Sequence, residues 1–115
     1  MTVPEVCDTD CKQLVFLARQ IHIGLNRDTA RASHALASAQ PLADDYDALL
    51  RREYPQLTRY QLESQAYGQV AGEAAGAQLW IVDPHGNLVL RYDSKSKGKA
   101  ILNDLRHLLK ISQIG

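Results

Sequence analysis

Two cysteines, Cys7 and Cys11, are the side chains of this 115-residue chain best suited to chemistry, and Asp8, Thr9 and Asp10 separate them. If a helix already includes both, their sulfurs lie four apart on one face. Two thiolates so placed could chelate a soft ion such as Cu(I). They could equally close a disulfide, because Cα atoms four apart on a helix are about 6 Å apart, inside the range a bridge tolerates. A helix N-terminus stabilises thiolate, while Asp8 and Asp10 oppose it. A structural bridge or a pair of inert thiols is the plainer reading of the same spacing.

A metal site needs a convergent set of ligands, and beyond the two sulfurs the sequence offers only scattered histidines. His85 falls in a turn, and His22 and His107 fall on helical segments as expected surface residues. His34, on a segment of ambiguous type, is the one that could face the cysteines as a third ligand. Lys95, Lys97 and Lys99 could meet an acidic partner or anionic lipid headgroups, although lysines in a glycine-containing loop are more often simply solvated. Serine nucleophiles, paired catalytic carboxylates and glycine-rich phosphate loops have no recognisable signature. Thirteen basic residues balance 13 acidic ones, so no global field draws in nucleic acid. No apolar run approaches the roughly 20 residues that cross a bilayer, and no secretory signal pattern is present.

The elements that must position the cysteines follow from periodicity. The length fits one domain, residues 1–115. Residues 1–6 offer at most a short strand, with Pro4 interrupting its ladder. Asp8, Thr9 and Asp10 are good N-caps, and Leu14, Leu17, Ala18, Ile21 and Leu25 recur at helical spacing, which predicts a helix over residues 9–23. Residues 31–38 alternate weakly as a strand, the preferred reading, although their alanines would also suit a helix; residues 43–54 read as a helix ended by Pro55, and Thr58, Tyr60 and Leu62 alternate as a further short strand. Residues 64–73 could add a helical turn or two, weakened by Gly68 and Gly72.

The segment from Gln78 to Tyr92 is the chain's clearest pattern. Leu79 to Val82 form an unbroken apolar run, as expected of a strand covered on both faces; Asp83-Pro84-His85-Gly86-Asn87 turns, and Leu88 to Tyr92 return as a hairpin. Ile101, Leu102, Leu105, Leu108 and Leu109 then mark a closing amphipathic helix. Hairpin and helix are expected to form the best-ordered core, with Trp80, Val82, Val89, Leu102, Leu105 and Leu109 as its contributors. Strands and helices in this order fit an α/β sandwich around a mixed sheet. A cysteine pair at the mouth of the first helix places the expected fold among the thioredoxin-like ones.

Cys7-x-x-x-Cys11, taken with Leu79-Trp80-Ile81-Val82-Asp83-Pro84-x-Gly86-Asn87 and the closing helix, resembles the Sco/SenC proteins, thioredoxin-like copper chaperones of cytochrome c oxidase assembly. The ending, Asp104-Leu105-x-x-Leu108-Leu109-Lys110-x-Ser112-x-Ile114-Gly115, is similar to small membrane-anchored bacterial proteins associated with that assembly system. The likeness covers both ends of the chain and fades between Arg27 and Glu73. It implies a periplasmic domain at the inner membrane, Cu(I) as cofactor, Cys7 and Cys11 as metal ligands or redox pair, and cytochrome c oxidase or another assembly factor as partner.

Three departures bear on that expectation. Where the resemblance implies a histidine ligand before the Asp-Pro turn, this chain reads Glu73-Ala74-Ala75-Gly76. Where redox thioredoxins carry a cis-proline before the following strand, it has Ala77-Gln78. Only six residues precede Cys7, which suggests a chain beginning after a membrane anchor with its first strand truncated. The leading expectation is a factor that binds Cu(I) or exchanges thiols and disulfides through Cys7 and Cys11. The alternatives are a non-catalytic protein-binding module with a structural or vestigial pair and, ranked last, a general thiol-disulfide oxidoreductase.

Overall fold

The computed structural model describes residues 1–4, 6–63, 65–67 and 76–112. Among these, the order is β1 (Thr2–Val3), α1 (Thr9–Gly24), a 3-10 helix (Asn26–Arg31), β2 (Ala35–Ser38), α2 (Asp44–Glu53), β3 (Thr58–Gln61), β4 (Leu79–Val82), β5 (Leu88–Tyr92) and α3 (Gly98–Ser112). Residues 65–67 form a helical turn, and the rest of the expected 64–73 helix lies outside the described residues.

Strands β1, β2 and β3 pair in parallel in that order, and β4 and β5 form the antiparallel hairpin. Between the two sheets runs one antiparallel bridge, in which the Thr2 amide donates to the Gln78 carbonyl at 2.8 Å and Gln78 returns the bond at 3.0 Å. The bridge links the strands in the sequence β3-β2-β1-β4-β5, a mixed α/β arrangement.

Alternation along a strand decides what each face carries. Val3 and Leu36 turn toward α1, whereas Thr2 turns away from it and accepts a hydrogen bond from the Trp80 indole at 2.9 Å. Tyr67 joins this second face, its hydroxyl 2.7 Å from that of Thr2 and its ring edge-on to Trp80.

Helix α1 is the seam of the core. Its apolar stripe of Cys11, Leu14, Val15, Ala18 and Ile21 is buried throughout. Cys11 and Val15 pack with Val3, Leu36 and Leu50 of α2; Leu14, Ala18 and Ile21 pack with Leu79 and with Ile101 of α3. Helices α1 and α3 approach so closely that a Cβ on Gly98 would lie 2.6 Å from Leu17 Cδ1. Their ends are tied by arginines: Arg106 donates to the Gly24 carbonyl and Arg31 to that of Leu109. Gly24 is the last residue of α1, so its carbonyl is one that the helix itself leaves unpaired.

The hairpin forms where the sequence places it, but it is not the centre of the core. Burial falls along β4 from Leu79 to an exposed Val82, and Leu88, Val89, Leu90 and Arg91 of β5 are exposed. The reason is position: β4 and β5 end the sheet, and they reach the helices through Leu79, Ile81 and Tyr92 on one face. Leu102, Leu105 and Leu109 of α3 are half-buried, and Ile101 is the member of that helix that reaches the interior.

Candidate functional site: a disulfide at the mouth of helix α1

The chain leaves β1 at Val3 and enters α1 at Thr9, so the cysteines are set by one strand end and one helix start. Asp8 is the N-cap, with extended backbone, and its Oδ1 accepts the Cys11 amide at 3.0 Å. That bond satisfies one of the orphan donors of the first turn. Cys7 therefore stands just outside the helix and Cys11 just inside it, with Cα atoms 5.1 Å apart, and the two are joined as a disulfide.

The halves of the bridge are unequal. Cys11 is 1% exposed, enclosed by Val3, Val15, Leu36 and Leu50. Cys7 is half-buried at the margin of the same cluster, where Ala77 also packs. Around it the surface shows Val6, Asp8, Thr9 and Asp10. An incoming group meets Cys7 first.

Ala77 occupies the segment expected to hold proline in a redox thioredoxin; Gly76 precedes it at φ +86°, and no cis peptide occurs among the described residues. Gln78, next in line, is buried, and its Oε1 has no hydrogen-bond partner among the described residues.

His34 is not brought to the cysteines. It immediately precedes β2, and its Nδ1 lies 3.1 Å from Nδ1 of His22 near the far end of α1. His22 lies 11 positions along α1 from Cys11, about 16 Å along the axis. His22 itself, expected as a plain surface residue, is half-buried and holds the Thr29 carbonyl at 2.8 Å through Nε2. Burial, and next the neighbouring His22, lowers the pKa of His34. Sequence reasoning missed this pair because its members lie 12 positions apart with a 3-10 helix between them, and no periodicity links a helix end to the start of the next strand.

His85 and His107 are exposed, as expected. His85 sits in a turn built on Asp83, whose Oδ1 accepts the amides of His85 and Asn87 while Oδ2 accepts the Asn87 side chain. These bonds, the Asn87 side chain first, hold the Asp83 carboxyl below its usual range. Lys95, Lys97 and Lys99 are all exposed in and beside the loop before α3. Among the described residues no group of three or more His, Cys, Asp or Glu is arranged to hold a metal ion, so the two sulfurs stand without a preformed third ligand. Glu73, Ala74 and Ala75, where a Sco-like histidine would fall, lie outside the described residues.

A strand leading into a helix with a cysteine pair across its start, followed by a bridge to an antiparallel hairpin and a covering helix, defines a thioredoxin-like domain. The family described as transmembrane-like, thioredoxin-like, C-terminal domain matches residues 1–112, and the chain belongs to it. Comparison with curated proteins and with solved structures returns no significant match. No helix among the described residues is long and apolar enough to cross a membrane.

Proposed function

We propose that the protein works through Cys7 and Cys11 as a thiol-disulfide exchange factor in cytochrome c oxidase assembly, at the periplasmic face of the inner membrane. Its dithiol form reduces a disulfide of the oxidase or of another assembly factor. The chemistry rests on the unequal exposure of the two cysteines; the setting rests on the resemblance to Sco/SenC proteins.

In the forward step the Cys7 thiolate attacks one sulfur of the partner's disulfide, forming a mixed disulfide and releasing the partner's other sulfur as thiolate. Cys11, held one helical turn away, then gives up its proton and attacks Cys7 Sγ. The partner leaves with both thiols reduced, and the Cys7–Cys11 bridge holds the electron deficit until a dithiol donor restores it.

The direction follows from what surrounds the sulfurs. A strongly oxidising disulfide has a reduced form stabilised as thiolate. Here the Asp8 carboxylate already occupies the helix N-terminus, and Cys11 is buried among apolar side chains. Both features disfavour thiolate and so favour the bridge, which makes the dithiol a reductant. Equilibration against dithiothreitol and glutathione buffers tests this, with an expected midpoint near or below the roughly −270 mV of thioredoxin. A midpoint near about −120 mV would reverse the direction, and a bridge that excess dithiothreitol cannot open would leave a structural disulfide in a binding module.

Cu(I) binding by the reduced pair is a second reading, favoured because the two sulfurs already meet at one point. Two soft thiolates suit Cu(I), and the want of a preformed third ligand predicts weaker retention than a three-ligand site. Competition with a Cu(I) chelator should strip copper from Cys7→Ser well before wild type. Equal retention by the two proteins would eliminate copper from the account.

A further inference from the structure

We propose that His22 and His34 form a binding site for one divalent transition-metal ion of the Zn2+ or Cu2+ class, held between their Nδ1 atoms at the C-terminal end of α1. The argument begins with a proton. The Thr29 carbonyl can only accept, so the 2.8 Å contact requires the proton of His22 to be on Nε2 and leaves Nδ1 a lone pair. That lone pair points at His34, whose Nδ1 is 3.1 Å away and, in the neutral pair, donates to it.

The spacing suits a metal as well as a proton. Two bonds of about 2.0 to 2.1 Å place cis nitrogens about 2.9 Å apart in a square plane and about 3.3 Å apart in a tetrahedron. The observed 3.1 Å falls between these. With ring centroids only 5.0 Å apart, the imidazoles do not meet head-on but are bent off the line joining their nitrogens.

A second feature is independent of that distance. Metal-ligating histidines usually donate their other ring N–H to a carbonyl or carboxylate, which fixes tautomer and orientation. His22 is already held this way by the carbonyl of Thr29, which also accepts the Ala32 amide at 3.4 Å at the end of the 3-10 helix. On binding, His34 moves its proton from Nδ1 to Nε2 through solvent, so both ligands are neutral and no net proton is released. Both residues are half-buried, so neither imidazole is closed off from solvent as a whole. The charges of the Met1 ammonium and, after it, of Arg19 are felt at His34 and oppose a cation, so affinity falls below that of a three-ligand site.

The site is separate from the disulfide and is tested with the cysteines silenced as the Cys7–Cys11 bridge. Calorimetric titration of the oxidised protein with Zn2+ and with Cu2+ should show one ion bound. His22→Gln and His34→Gln should each weaken it at least tenfold, while His85→Gln and His107→Gln stay within twofold. Glutamine at position 22 can still donate to Thr29, so the local fold has its bond. In wild type, nitrogen-detected spectra of the imidazoles should show the Nδ1 signals of His22 and His34 shifting together as Zn2+ is added. Unmoved Nδ1 signals at saturating Zn2+, or undiminished affinity in either folded variant, would overturn the proposal.

Discussion

Around α1, Leu14, Val15, Leu36 and Leu50 are all exposed by 2% or less, whereas in the hairpin Val82, Leu88, Val89 and Leu90 retain between 37% and 51% of their surface. The residue types, leucine and valine, are the same in both. What differs is the number of neighbours that topology supplies. Strand β2 has a paired strand on each side and α1 across its face, while β5 pairs with β4 alone among the described strands. Apolar side chains at a sheet's end meet fewer partners, and less surface leaves water. The disulfide lies in the first region, so its buried half inherits the rigidity of the core.

The largest effects should therefore come from the α1 region. Leu36→Ala or Leu14→Ala should each cost about 2 to 5 kcal/mol, through lost transfer energy and the cavity left behind. Val89→Ala, on the exposed strand, should stay within about 0.5 kcal/mol. Urea unfolding of the three variants measures the contrast directly. If Val89→Ala proved as costly as Leu36→Ala, the two regions would not differ in the way burial implies.

The same contrast marks what the sequence made legible. Helix α1 was readable to within a residue because its five buried positions recur at helical spacing behind a good N-cap. The hairpin was readable because Asp83, Pro84, Gly86 and Asn87 are turn residues, and Gly86 does adopt φ +88°. Burial was not readable. An unbroken run such as Leu79 to Val82 looks the same whether helices cover one face or two, so Val82 and Val89 were wrongly expected inside. The cysteine pair was legible as close enough to bridge, since a four-residue spacing at a helix start fixes its reach. The His22–His34 pair was not, because long-range meetings depend on how a turn aims the next strand.

Where α1 meets α3, Gly98→Ala should cost about 1 kcal/mol, at the low end of overpacking, since the new Cβ would collide with Leu17 Cδ1, the movable end of a side chain. Leu17→Ala in the same protein should recover part of that loss. No recovery would mean that the backbone, and not this contact, sets the cost. At the disulfide, Asp8→Ala should cost about 1 kcal/mol by removing the N-cap, whereas Asp8→Ser should keep most of the stability. Both remove the carboxylate, so both should make the Cys7–Cys11 pair more oxidising by roughly 10 to 20 mV, the equivalent of about 0.5 to 1 kcal/mol at a helix terminus. An unchanged potential would separate the cap's structural role from any electrostatic one.

The smallest expected effect concerns Tyr46, which belongs to the α1 region through its packing at the Leu50 cluster and its ring beneath the Lys12 ammonium at 5.0 Å. Burial, and next the neighbouring Tyr54, pushes its pKa up to about 12 from an ordinary value near 10. The unfolded chain therefore loses this proton first as the solution becomes alkaline. Between about pH 10 and 12 the folded state binds more protons than the unfolded one, so stability contributed by the neutral phenol is fully present below pH 10 and is lost as pH rises through that window. Tyr46→Phe removes the titrating group while keeping the ring. Its stability relative to wild type should be constant from pH 7 to 9.5 and should improve progressively above pH 10, by an amount that solvent exposure of the phenol keeps modest. Urea midpoints at pH 8 and pH 11 suffice to detect it. A difference between the two proteins that stayed flat across both pH values would mean that Tyr46 is no more desolvated than a surface tyrosine, and would move this edge of the α1 region into the class of the exposed hairpin.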